Sequence, residues 1–267
     1  MDFTITEDQA TLTQGVRDYL AGVHGAEVLR ELDVTESRRS DAVWQGFSEM
    51  GLPGLLVPEA LGGLGLSLLD GVLIAAELGR AGVAGPIADT ALIAAPLLAK
   101  AGGQDALLEA IASGAAKVAL QHPLNPWTAD LEAASHILSA KDATLLLTAR
   151  TGDADLLDSV DPLRRLFAPV AAEGAAIGPA DALLDHAALM SAAQLVGIAD
   201  AMLAQATEYA KNRNQFGQPI GSFQAVKHHL ASAVVKIEFA KPVIQRAALA
   251  LAEGSSNPAA HISHPKL

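Results

Sequence analysis

Leu12, Val16 and Leu20 recur every four residues, so the chain is predicted to open on a helix with one apolar stripe. Thr6 and Gln9 have the spacing of a capping box at its start, each side chain satisfying a donor at the other's end. Val43, Trp44, Phe47 and Met50 mark a second short helical run that stops at Gly51. Gly62-Gly63-Leu64-Gly65 then places three glycines in four residues, which predicts an irregular loop. Ser67 to Asp70 reads as another helix start, and Pro86 and Asp89 open a further apolar helix through Leu98. The texture changes after that. Residues 118–121, 136–139 and 143–149 are short apolar runs between turn formers and read as strands, with a weaker continuation at 160–170. From Ala182 the helical pattern returns, carrying alanine or glycine on many faces between residues 187 and 211, so neighbouring backbones can approach closely. Beyond a turn, Phe223, Val226, Leu230, Val234 and Ile237 form a stripe at three- and four-residue spacing. Pro242 is predicted to kink or break that last helix, and residues 254–258 read as a linker.

Composition sharpens this picture. The 267 residues are 51% hydrophobic yet only 4% aromatic, so alanine and leucine must fill the core, which suits closely packed helices. The predicted fold is mostly α with a small β-domain. It has an N-terminal helical domain at 1–115, a reduced middle β-domain at 116–178 and an incomplete C-terminal helical bundle at 179–267. A net charge of −12 argues against nucleic acid or an anionic membrane as the main partner. Without cysteine, disulfides, thiolate metal sites and cysteine nucleophiles are excluded, and the eight histidines show no metal-ligand spacing. The N-terminus lacks the regions of a signal peptide. The apolar windows 64–78 and 187–206 contain Asp70, Glu77 or Asp200, so they read as core helices with no membrane span. A cytoplasmic location is the expectation.

Against the acidic background, Lys211, Arg213, Lys227, His228 and His229 form a cationic island around a turn made by Gly217, Pro219 and Gly221. Arg213, Gln215, Phe216, Phe223 and Gln224 there supply a bidentate anion donor, amide donors and two flat apolar rings. That combination suits a phosphorylated aromatic cofactor. The plainer alternative is a helical corner with Arg213 complementing a helix C-terminus. No G-x-G-x-x-G fingerprint is present.

The order R-x-Q-F-G-x-P-I-x-x-F-Q-x-x-K-H from Arg213 to His228 resembles the dimer-loop motif of the acyl-CoA dehydrogenase family. A second stretch, G-L-x-G-L-x-V-P-E from Gly51, G-G-x-G from Gly62 and E-L-G-R from Glu77, resembles the same family's N-terminal helical domain. The resemblance implies a flavoprotein in which Arg213 meets the pyrophosphate of a FAD bound mainly by the neighbouring subunit. Phe216 would pack near the adenine, Gln224 would hydrogen-bond the cofactor, and Gln215 and Phe223 would flank it. It further implies an acyl-CoA substrate, an electron-transfer partner, a homo- or hetero-oligomer, and a place in lipid metabolism such as fatty acid β-oxidation.

Two departures follow. The family's T-E-P-x-x-G-S-D segment, which holds flavin and substrate, is absent, and residues 119–130 read A-L-Q-H-P-L-N-P-W-T-A-D. Trp127-Thr128 resembles a pair that lies against the family's flavin ring, and equally suits a tryptophan closing one end of a small barrel. The family's chemistry also needs a carboxylate base in an apolar pocket, and the family's usual glutamate would lie in helices beyond residue 267. A minority carry it near the start of the helix before the dimer loop. Here that region holds Asp185, which reads as a helix cap, and His186, which as its neighbour should point elsewhere. No catalytic base is assigned. Three functions remain open: an acyl-CoA dehydrogenase, a non-catalytic partner subunit completing the FAD site of a related catalytic chain, and a helical scaffold without cofactor.

Overall fold

The structure is a computed structural model that describes residues 4–171, 173–254 and 262. Its elements, in chain order, begin with helices α1 (Glu7–Val23), α2 (Ala26–Leu32), α3 (Asp41–Glu49) and α4 (Leu68–Ala81). A π-helical segment, Ala88–Ala94, runs into α5 (Ala95–Ala101) and is followed by α6 (Asp105–Ala112). The strands β1 (Val118–Gln121), β2 (Thr128–Ala129), β3 (His136–Lys141), β4 (Thr144–Ala149), β5 (Leu156–Leu157), β6 (Leu166–Phe167) and β7 (Ala175–Pro179) come next. Helix α7 (Asp181–Asn212), a two-residue-per-strand hairpin of β8 (Asn214–Gln215) and β9 (Gln218–Pro219), and α8 (Gln224–Ala252) complete the described chain.

Local chemistry sets the boundaries. At α1 the Gln9 amide donates to Thr6 Oγ1 at 3.2 Å and the Thr6 amide to Gln9 Oε1 at 3.1 Å, closing the predicted box. Ser67 and Asp70 close a second box at α4. Gly51, at φ 74°, ends the α3 segment and starts an irregular run containing two single 3₁₀ turns. There Gly63 lies so close to Val57 that any Cβ would stand 2.1 Å from its carbonyl oxygen.

Packing of α7 on α4 depends on two missing side chains. A Cβ on Gly79 would fall 2.1 Å from the Gln194 carbonyl oxygen, and one on Gly197 would fall 1.8 Å from that of Ala76. The small-residue texture of α7 is therefore a close helix–helix approach. Its most apolar 18-residue window, with a mean hydropathy of 1.6, would also fit a membrane span by length and composition, but much of the first half of the helix, from Leu183 to Ala193, is buried within this chain.

The first sheet runs β1-β3-β4-β7, with β1 parallel to β3 and the other pairs antiparallel; the second runs β2-β6-β5. Two strand expectations need correction. The continuation at 160–170 shrinks to Leu166–Phe167, and strand structure extends past residue 170 into β7. Strand β7, Ala-Ala-Ile-Gly-Pro, is an edge strand of small, mostly exposed residues held by its ladder to β4, so it has no apolar alternation to announce it. Pro242 does not break α8. Proline removes one hydrogen bond of the ladder, and burial of Ile237, Ile244, Ala247 and Ala248 on either side holds the helix together. The helical and strand parts are joined by Arg39, whose Nη1 donates to Asp130 Oδ1 at 2.8 Å and Nη2 to Glu132 Oε1 at 2.6 Å.

Candidate functional site

Where the π-helical segment, the β1–β2 loop and α7 meet, they line a half-open cavity of about 620 Å³. Ile93, Leu120, Leu184, Ala188 and Leu195 make much of its wall apolar, and Trp127 adds a flat aromatic surface. The indole Nε1–H of Trp127 is buried without a hydrogen-bond partner among the described residues. Thr128 is fully buried, its hydroxyl donating to Gln121 Oε1 at 3.2 Å, and is already satisfied. Of the two sequence readings of this pair, the structure places Trp127 on a cavity wall with an unpaired donor. That nitrogen is shielded from the cavity as well, and the Arg164 guanidinium lies 5.8 Å from the ring centroid, so Trp127 contributes aromatic surface to the wall.

Two carboxylates line the same cavity, Asp89 and Asp185. Asp185 is not a cap: α7 begins at Asp181, so Asp185 sits in its second turn. His186 points away, as adjacency on a helix requires. It is buried outside the cavity lining, and its Nδ1–H donates to the Ala182 carbonyl at 2.8 Å. Burial pushes its pKa down, so the ring is neutral. Asp89 is the residue that sequence reasoning missed, because an aspartate after Pro86 reads as a helix-start signal. Burial, reinforced by the charge of Asp130 and opposed by Arg164, pushes its carboxyl up to about 7. Its position is fixed by its neighbour Thr90. The Val118 amide donates to Thr90 Oγ1 at 3.0 Å, and that hydroxyl also lies 3.3 Å from the Val118 carbonyl, clamping the π-segment to β1. One signal was available: a lone charge inside an otherwise apolar run from Ile87 to Leu98.

Arg213, Gln215, Phe216, Phe223 and Gln224 come together elsewhere, on a corner that faces outward. Arg213 caps α7, its amide donating to the Tyr209 carbonyl at 2.8 Å, and its own carbonyl accepts from Ile220 at 2.8 Å. Phe216, at φ 54°, forms the hairpin tip with Gly217 and is 92% exposed. The Phe216 and Phe223 rings meet edge to face at 6.2 Å. Gln224 opens α8. Arg213, Gln215, Phe216 and Gln224 are exposed, Phe223 is half-buried, and none of the five lines the cavity. The group is displayed on a short hairpin between two long helices. Among the described residues, no cluster of three histidines or carboxylates is placed to hold a metal ion.

A helical domain, a small β-domain and a long helical pair around a cavity with an aromatic wall define the acyl-CoA dehydrogenase class of flavoprotein fold. Residues 6–115 match the family model described as the N-terminal domain of acyl-CoA dehydrogenase, and residues 178–267 match that of its C-terminal domain. The chain is 34% identical over 243 residues to the acyl-CoA dehydrogenase IpdE2 of Mycobacterium tuberculosis, an alignment covering 90% of this chain and 76% of the relative. In fold it is similar to the ChsE4-ChsE5 complex from Mycobacterium tuberculosis (TM-score 0.85, 23% identity, 99% of this chain and 83% of that one). It is also similar to a variant of the Tcur3481-Tcur3483 steroid ACAD (TM-score 0.83, 24% identity, 96% and 81%). The chain belongs to the acyl-CoA dehydrogenase family.

Proposed function

We propose that this chain is a subunit of a FAD-dependent acyl-CoA dehydrogenase that introduces an α,β double bond into an acyl-CoA thioester. The observation that carries the reading is the cavity between the β-domain and α7, which sets apolar walls, the Trp127 ring and Asp185 around one space. Family membership implies FAD, which when bound accepts a hydride from the acyl β-carbon. This chain's residues do the rest. The apolar wall excludes water from the thioester's acyl group. Trp127 offers aromatic surface to a ring beside it. Asp185 is placed to take the α-proton onto a carboxylate oxygen, from the helix on which a minority of the family carry their base.

The outward corner adds an assembly requirement. Arg213 would meet the pyrophosphate of a FAD held mainly by the neighbouring subunit, with Gln215, Phe216, Phe223 and Gln224 around it. Exposed apolar side chains on the same helices, including Met202 at 65%, Tyr209 at 61% and Phe239 at 72%, support a covering subunit. A second reading is favoured by that outward display: a non-catalytic subunit that completes the FAD site of a related catalytic chain, as the heteromeric ChsE4-ChsE5 neighbour suggests. The steroid ACAD neighbour suggests a ring-bearing acyl group for either reading.

Asp185→Asn in the flavin-loaded assembly separates the two. If this chain is catalytic, turnover of an acyl-CoA falls at least about a hundredfold while the visible flavin spectrum is unchanged. Unchanged turnover removes Asp185 from the chemistry and favours the subunit that only completes a partner's site.

A further inference from the structure

Two adjacent arginines of the β-domain have different fates. Arg165 closes two hydrogen bonds on Glu132, at 3.0 and 2.7 Å, beside the bonds by which Arg39 joins the domains. The exposed Arg164 guanidinium has no hydrogen bond or ion pair among the described residues. Its backbone is fixed all the same. The Arg164 amide donates to the Asp161 carbonyl at 3.0 Å, the Leu163 amide to Asp161 Oδ1 at 3.0 Å, and the Arg165 carbonyl accepts from the Asp130 amide at 2.9 Å. The side chain leaving this turn lies over Trp127, its guanidinium carbon 5.8 Å from the ring centroid, and lines the half-open cavity. A cation held there on an anchored turn keeps its donors for a ligand.

The surroundings narrow what that ligand can be. Among the described residues lining the cavity, Arg164 is the one arginine or lysine, in a chain of net charge −12. Asp89 and Asp185 on the same wall disfavour an anion farther in, and Ile93, Leu184 and Ala188 call there for hydrocarbon. The fork of an exposed guanidinium matches two oxygens of one phosphate. A ligand that is uncharged and apolar at one end and phosphorylated at the other meets both conditions, and a CoA thioester is divided in that way.

We infer that Arg164 binds a phosphate at the nucleotide end of the CoA ester, at the mouth of the cavity, while the acyl end lies inside. This rests on the acyl-CoA reading above and deepens it. No bond is made or broken at Arg164. A FAD diphosphate offers the same chemistry, and the two sources give different results below.

The test is calorimetric titration of the purified, flavin-loaded protein, in the assembly in which it purifies. The two probes are cyclohexylpropanoyl-CoA and the cyclohexylpropanoyl thioester of pantetheine, which carries no phosphate. The CoA ester is expected to bind about tenfold more tightly, and the gap to narrow in high salt. Arg164→Ala is expected to lose about tenfold on the CoA ester and nothing on the pantetheine ester. Arg164→Lys should restore part of that loss, since the charge returns without the fork. Equal binding of both esters to the unaltered protein, or an unchanged preference in Arg164→Ala, overturns the inference and leaves the acyl-CoA reading intact. An equal loss on both esters in Arg164→Ala also overturns it, and would make the side chain part of the acyl wall through Trp127. Loss of flavin absorbance in Arg164→Ala with the ester preference intact overturns it too, and would assign the phosphate to FAD. Failure of the unaltered protein to bind either ester overturns both readings.

Discussion

The two halves of α7 have opposite relations to the rest of the chain. The first half buries Leu183, His186, Ala187, Leu189, Met190, Ala192 and Ala193, and lays Asp185 and Ala188 along the cavity. Past Gly197 the second half is exposed or half-buried, and only Ala210 returns to the interior before Arg213 and the hairpin. One helix thus shapes a pocket at one end and leads into the exposed corner of Arg213, Phe216 and Gln224 at the other. The inner half is specified by contacts this chain makes with itself. The outer half presents its side chains outward, and the proposal above has another subunit cover it.

Perturbing the inner half should have the larger effects. Gly197→Val forces a Cβ to within 1.8 Å of a backbone oxygen that no rotamer change can move. The expected loss is on the order of 3 kcal/mol, or roughly 6–12 °C in thermal midpoint, read by calorimetry. Ala204→Ser on the exposed half should change stability by no more than about 0.5 kcal/mol. Equal losses would erase the distinction between the halves.

Asp89 gives the inner half a pH signature. Its folded-state pKa near 7 lies above the ordinary carboxyl value, so between about pH 4 and 7 the folded protein holds a proton that the unfolded chain has released. Stability should therefore fall as pH rises through that window and level off above it, by a few kcal/mol in all. Asp89→Asn should flatten that part of the profile, gaining on the unaltered protein at pH 8 but not at pH 4. Parallel profiles in urea denaturation would show that Asp89 is well solvated.

A smaller loss than at Gly197 is expected at a helix end. Ser67→Ala removes one half of the α4 capping box and should cost about 1 kcal/mol without altering ligand binding.

Much of this architecture was legible in the sequence because it rests on local chemistry. The capping box at Thr6, the helix start at Ser67, the glycine-rich loop after Gly51 and the strands β1, β3 and β4 follow from residue type and spacing. The corner residues were legible as a set, since two glycines and a proline fix the turn that gathers them. What escaped depends on tertiary context. Strand β7 exists through its ladder to β4, and Pro242 is tolerated because its helix is packed on both sides. Asp185 and Asp89 both resembled helix-start residues, and only the packing of the β-domain against α7 shows that they share a cavity.

The central claim, that the outer corner of α7 holds a cofactor bound largely by another subunit, is tested most directly by FAD retention. The purified assembly, incubated with FAD and passed over a desalting column, should keep its visible flavin band. Arg213→Ala should bind FAD at least about tenfold more weakly, at an unchanged thermal midpoint of the flavin-free protein, because an exposed arginine contributes little to folding and much to a pyrophosphate. Equal flavin retention by Arg213→Ala and the unaltered protein, or no uptake in any assembly, would contradict it.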